Sequence, residues 1–173
     1  MPLSITCGRL DKLYHFGIKD KLLRIINNTF EGASSRVLYN GYLSETFQIM
    51  QGTRQGSICA PFYYTIHVDG LLDELQRSVH GLRVGELKLS APTQADDIVL
   101  LSTSRFGLVK WVSICRNYTN KWRYSYNAVK CVSMVMSHKQ ARCYRPEAIR
   151  YDNSNITETT VYKHLGVTQS SHG

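Results

Sequence analysis

Ala91-Pro92-Thr93-Gln94-Ala95-Asp96-Asp97-Ile98-Val99-Leu100-Leu101-Ser102 is the stretch on which the reading of this chain turns. Two adjacent carboxylates stand between a proline and an apolar, β-prone run, which predicts a strand, a tight turn carrying the aspartates, and a second strand from Ile98 to Leu101. Successive side chains on a strand point to opposite faces, but at a turn both carboxylates can reach one space. Two like charges held close resist ionisation, and a divalent cation removes that cost. Hard oxygen ligands suit magnesium or manganese, so Asp96 and Asp97 are candidate metal ligands for two-metal nucleotidyl transfer. The plain alternative is a solvated acidic bend, since surface turns recruit aspartate readily. A solvated bend rarely runs straight into a wholly apolar segment, as this one does.

Working outward, Ser104 is placed to cap a helix reaching about Tyr124. Its Leu108, Trp111, Val112, Cys115 and Trp122 fall at helical spacing, so both tryptophans read as core, not as a base-stacking platform. Upstream, Lys19 to Glu31 reads as a helix with Leu22, Leu23, Ile26 and Phe30 on one face and Gly32 as its stop. Ser35–Tyr39 and Glu45–Ile49 flank Asn40-Gly41, a strong hairpin signal. A loop of donors and glycines follows, Gln51 to Ser57, and then a helical pattern from Ala60 to about Val79, with Phe62, Ile66, Leu72 and Leu75 apolar. Short strands are expected at Leu82–Val84 and Leu87–Leu89, another at Val132–Met136, weak strands within Arg142–Thr160, and a last strand at Val161–Val167. This mixed order with antiparallel hairpins predicts an α+β chain, its helices packed on one face of a sheet.

The chain has 173 residues, enough for one core, with 43% hydrophobic residues and a net charge of +8. That charge favours a polyanionic partner, nucleic acid first and an anionic membrane surface second. Lys121, Arg123, Lys130, Lys139, Arg142, Arg145 and Arg150 are opposed only by Glu147, which makes this segment either a solvated basic face or a phosphate track. The five cysteines show no CxxC pair and read as buried small hydrophobes in a reducing compartment. Cys131, His138 and Cys143 fit no usual zinc spacing. The start has no secretory pattern and no apolar run has membrane-spanning length, so an intracellular location, cytoplasmic or nuclear, is expected.

Taken together these stretches resemble the reverse transcriptase domain of non-LTR (LINE-type) retrotransposons, over roughly residues 10 to 167. Gly52-Thr53-Arg54-Gln55-Gly56-Ser57 followed by Ala60-Pro61 resembles the family's GxRQG…P motif, which supports the templating base and incoming nucleotide. Phe62 through Leu72 looks like the helix behind it. Gln94-Ala95-Asp96-Asp97 is similar to the catalytic box, Asn127 to Cys131 to the next motif, and Tyr162 to Val167 to the primer-grip strand pair. The resemblance implies a polymerase palm-like antiparallel sheet with partial fingers and no thumb, forming a single truncated domain over residues 1–173. It implies RNA template, DNA primer and dNTP as partners. It implies Asp96, Asp97 and Lys130 as catalytic residues, the lysine near the leaving pyrophosphate. Arg54, Gln55, Gly56 and Gln94 would meet nucleotide or template, and Leu165 and Gly166 would form the primer grip.

Two departures qualify that picture. The family's box begins with an aromatic, and here Gln94 stands in its place. The family's first motif supplies a further metal-binding aspartate, but residues 1–9 contain no Asp or Glu. Mg²⁺ or Mn²⁺ is therefore expected to bind weakly, and an inactive remnant that holds nucleic acid electrostatically is the expected behaviour of the chain taken alone.

Overall fold

A computed structural model describes residues 5–49, 52, 56–136, 148–164 and 166–171. The chain forms two compact units, Met1–Glu74 with Thr93–Val99, and Leu75–Pro92 with Leu100–Gly173.

The first unit is built on three helices, α1 (Ile5–His15), α2 (Asp20–Phe30) and the greater part of α3 (Ala60–Arg77). Leu13, Ile26 and Ile66, one from each helix, are buried against one another, with Ile18, Leu23, Phe30 and Tyr63 packed around them. Truncating a side chain as buried as Leu13 to alanine costs about 2–5 kcal/mol. The apolar face of α2 is Leu23, Ile26 and Phe30, at spacings of three and four. Leu22, expected on that face, is exposed because one residue's step turns it about 100° away. Phe62 on α3 is likewise exposed, whereas Val68, Leu71 and Leu75 are buried.

The Asn40-Gly41 hairpin forms. Both residues have positive φ, 48° and 80°, as a two-residue turn of the I′ type requires. β2 (Leu38–Tyr39) and β3 (Tyr42–Leu43) pair immediately beside it, and β1 (Ser34–Ser35) pairs with β4 (Phe47–Gln48) further out. Between those two ladders Arg36–Val37 faces Ser44–Thr46, so one arm carries an extra residue as a bulge. Ser44 secures it: the Val37 N–H donates to Ser44 Oγ at 2.9 Å, and the Ser44 N–H donates to the Val37 carbonyl at 2.9 Å.

In the second unit, β5 (Leu82–Val84) and β6 (Leu87–Leu89) pair as expected. The segment expected to continue the aspartate strand to Leu101 does not; that strand ends at Ile98. Leu101 instead bridges two backbones, donating to the Ser90 carbonyl at 3.2 Å and accepting from the Leu82 N–H at 3.1 Å. Helix α4 (Arg105–Trp122) is capped by Ser104, whose Oγ accepts from the Gly107 N–H at 3.1 Å, and it ends at Arg123 in the left-handed region. Trp111 is fully buried and its indole Nε1 donates to Ser78 Oγ at 3.0 Å, which satisfies its polar edge inside the core. Val112, Ile149 and Tyr151 form a second cluster under Leu100, Leu108, Tyr126, Ala128 and Ile156.

The remaining strands are short. β9 (Val132–Ser133) stops well before Met136 and pairs in parallel with β12 (Thr157–Glu158). β10 (Arg150–Tyr151) pairs with β11 (Ser154–Asn155). Sequence periodicity predicts a single strand at Val161–Val167, but the segment opens a hairpin, β13 (Val161–His164) against β14 (Val167–Ser170), a strand pair of the kind the resemblance implies there. Among the described residues the strands make seven separate two-stranded ladders, not one sheet. The α+β class stands as mixed helices and small, mostly antiparallel strand pairs.

Candidate active site

The acidic stretch folds as a hairpin of β7 (Thr93–Gln94) and β8 (Asp97–Ile98), with Thr93 opposite Ile98 and Gln94 opposite Asp97. Only Ala95 and Asp96 are left to make the turn, so the aspartates divide: Asp96 sits in the bend and Asp97 opens the second strand. Ala95 has φ 50°, a left-handed conformation that costs an L-residue roughly 1–2 kcal/mol. Asp96, Asp97 and Gln94 are all exposed.

The hairpin belongs to the same compact unit as the first fifteen residues of α3. On that helix Tyr64 is half-buried, and its phenol is pushed above the ordinary tyrosine value, first by burial, then by the charges of Asp96 and Asp97. Sequence reasoning missed Tyr64. Its signal was helical phase, since Tyr64, Val68, Leu71 and Leu75 lie at spacings of four, three and four along one stripe of α3.

As cation ligands the two carboxylates have the right chemistry, hard oxygens on adjacent residues at one turn. Their number is the shortfall: among the described residues no cluster of three His, Cys, Asp or Glu is placed to hold a metal ion. Of the imagined zinc trio, Cys131 is partly buried with its thiol pushed up by burial, while His138 and Cys143 lie outside the described residues. Cys115 is buried as expected, but Cys59 is exposed.

The other expected site residues fall in both units. Arg54, Gln55 and Leu165 lie outside the described residues. Gly56, in the first unit, is exposed with φ 80° just ahead of α3. Lys130, in the second, is exposed at a turn organised by Asn127, whose Oδ1 accepts from the Val129 N–H at 3.1 Å and whose carbonyl accepts from the Lys130 N–H at 3.0 Å. Gly166 stands at the bend of the β13–β14 hairpin, where the Tyr162 and His164 rings stack at 6.3 Å. Of the basic run, Lys121, Arg123, Lys130 and Arg150 are exposed; Lys139, Arg142, Arg145 and Glu147 lie outside the described residues.

Helices alternating with small hairpins, one of which carries adjacent exposed carboxylates, suit a nucleic-acid polymerase. Residues 7–169 match the family described as "Reverse transcriptase (RNA-dependent DNA polymerase)". The chain belongs to this family, and the resemblance to the non-LTR retrotransposon domain stands. It is 25% identical over 169 residues to the "Retrovirus-related Pol polyprotein from type-2 retrotransposable element R2DM" of Drosophila melanogaster, an alignment covering 94% of this chain and 16% of that protein. The chain thus spans about a sixth of the length of that relative. No helix among the described residues is long and apolar enough to cross a membrane.

Proposed function

We propose that this chain is a palm portion, with part of the fingers, of an RNA-directed DNA polymerase, acting as one domain over residues 1–173. Asp96 and Asp97 hold magnesium or manganese. The observation that carries this reading is the β7–β8 hairpin that sets Asp96 and Asp97 side by side and exposed at its turn, within the residues that match the reverse transcriptase family. A cation bound there would make the primer hydroxyl a better nucleophile and offset charge on the phosphate. Around it, Arg54, Gln55 and Gly56 meet the incoming nucleotide and templating base. Gln94, directly across the ladder from Asp97, offers an amide to the primer end where the family has a ring. Lys130 supplies positive charge toward the departing pyrophosphate, and Leu165 with Gly166 supports the primer strand.

By itself the chain binds primer–template without extending it. The support is the ligand count among the described residues: two carboxylates leave a Mg²⁺ ion to complete its octahedron with water, and such binding is weak. Primer extension on poly(rA)/oligo(dT), with RNA retention measured in parallel, tests this. RNA retention with no extension above an Asp96→Asn, Asp97→Asn control is expected. Extension that the double substitution abolishes would show the chain to be a competent polymerase alone. Failure to retain RNA would remove both readings.

A further inference from the structure

The two units differ sharply in charge. The first carries seven Lys and Arg against nine Asp and Glu, a net −2, and the second fourteen against four, a net +10. The positive excess of the chain therefore belongs to the unit that does not contain Asp96 and Asp97. Within that unit α4 has no acidic residue along its 18 positions. Trp111, Val112, Cys115, Tyr118 and Thr119 turn its inner side into the core.

The outer side of α4 has an order of its own. Phe106, Lys110, Ser113, Asn117 and Lys121 are all exposed and follow one another at spacings of four, three, four and four. At about 100° per residue they fall on a single stripe, with the two lysines about 16 Å apart along the axis. Arg116, on another side of the helix, is held by Asp152 at 2.9 Å. Neither stripe lysine is ion-paired among the described residues. Each lies over a ring instead, Lys110 Nζ at 5.3 Å from the Phe106 centroid and Lys121 Nζ at 5.4 Å from that of Trp122. His80 meets the Phe106 ring edge-on at 5.7 Å, so the ring is braced and yet 64% exposed.

We propose that this stripe of α4 is a contact surface for single-stranded RNA, with Lys110 and Lys121 each meeting a phosphate, Asn117 donating to the backbone between them, and Phe106 stacking on a base at one end. Charge selects the occupant: cations without acids, in a unit of net +10, fit a polyanion. The exposed ring selects a single strand, because only unpaired bases offer a face to stack on. A membrane-surface helix lays its apolar face into lipid, whereas that of α4 is turned into the core. The proposal deepens the reading of the chain as a polymerase portion, on which the choice of RNA rests. It adds a holding surface made of none of the residues assigned above to nucleotide, template or primer.

The test is fluorescence anisotropy of the full chain with labelled oligo(rA). Lys110→Gln with Lys121→Gln is compared with Arg83→Gln with Arg116→Gln, which removes the same charge from the same unit but off the stripe. Thermal melting verifies that each variant folds as the parent does, and Lys110→Arg with Lys121→Arg should keep the parent's affinity. The stripe variant should lose roughly 25-fold in affinity at 100 mM salt and flatten the salt slope by about 1.4, two contacts at about 0.7 each. Phe106→Leu should lose about fivefold or more with the slope unchanged, and the charge-matched control should stay close to the parent. Equal losses in the stripe and control variants would mean that only the field of the unit acts, which overturns the proposal and leaves RNA binding intact. Phe106→Leu without effect would overturn the stacking and the choice of a single strand. Sedimentation with phosphatidylserine vesicles that depends on the two lysines, with RNA affinity unmoved, would assign the stripe to a membrane surface instead. A parent chain that binds no RNA removes the proposal and the polymerase reading together.

Discussion

Gln94 and Asp97 stand directly opposite each other across the β7–β8 ladder, which forces the reversal between them into two residues, Ala95 and Asp96. The bend takes Ala95 into the left-handed region, φ 50°, where glycine is at ease and a Cβ is not. Ala95→Gly relieves roughly 1–2 kcal/mol of strain and adds about 0.5–1 kcal/mol of chain entropy to lose on folding. The balance is a gain of about 0–1.5 kcal/mol. Ala95→Val, branched at Cβ, loses about 1–3 kcal/mol. Urea melts of both variants check the pair; a glycine variant less stable than the parent would contradict the left-handed turn.

Gly107, one turn into α4, is required by close approach. A Cβ there would stand 2.4 Å from Ser102 Oγ and 3.2 Å from His80 Cβ. Gly→Ala within a helix ordinarily gains about 1 kcal/mol, but overpacking costs about 1–3 kcal/mol, so Gly107→Ala is expected to destabilise. Ser102→Ala removes the atom most in the way. In a double-mutant cycle the pair should therefore couple favourably by about 1 kcal/mol. Strict additivity in denaturant titrations would show that the overlap is relieved elsewhere.

How far the sequence could be read depends on what kind of signal each element left. Helices α2, α3 and α4 carry apolar spacing together with a stop or a cap, and the Ser104 cap was legible to the residue. Asn40-Gly41 and the strands Leu82–Val84 and Leu87–Leu89 were legible for the same reason, because turn chemistry fixes register locally. Helix α1 was not, since among its described side chains Leu13 alone enters the core cluster and Gly8 interrupts its pattern. Strand ends were overrun at Val99–Leu101 and Met134–Met136, because an apolar run reads alike whether it pairs or packs as coil. Gly166 marked the reversal in the last hairpin, but the surrounding β-prone residues hid it. The acidic doublet itself was plain; Tyr64 was not, because an aromatic at helical spacing is indistinguishable from core until its neighbours are known.

Thiol reactivity should separate the cysteines by environment. The thiolate is the nucleophile, and burial holds the Cys131 thiol above the ordinary range. A folded-state pKa raised in this way contributes stability fully present below the unfolded thiol's value and lost as pH rises through the raised one. Cys131 alkylation should thus be slow near neutrality and still accelerating above the ordinary thiol range. Exposed Cys59 should label first, and buried Cys115 only on unfolding. Peptide-resolved mass spectrometry after timed iodoacetamide exposure reads all three, and equal rates at Cys59 and Cys131 would contradict the burial.

RNA affinity should depend on salt far more than on sequence. Lys121, Arg123, Lys130 and Arg150 are exposed cations from one stretch of the second unit. If each neutralises one phosphate, counterion release on a single strand gives log K a slope near −3 against log salt, about −0.7 per contact. Between 50 and 200 mM salt that is a loss of roughly 50-fold. Lys121→Gln with Arg123→Gln should flatten the slope by about 1.4, at two contacts of 0.7 each. Poly(rA) and poly(rU) should respond alike, because phosphate contacts carry no sequence information. The decisive measurement is fluorescence anisotropy across that salt range. An affinity that does not move would mean these cations face only solvent, and the electrostatic account of RNA binding would have to be given up.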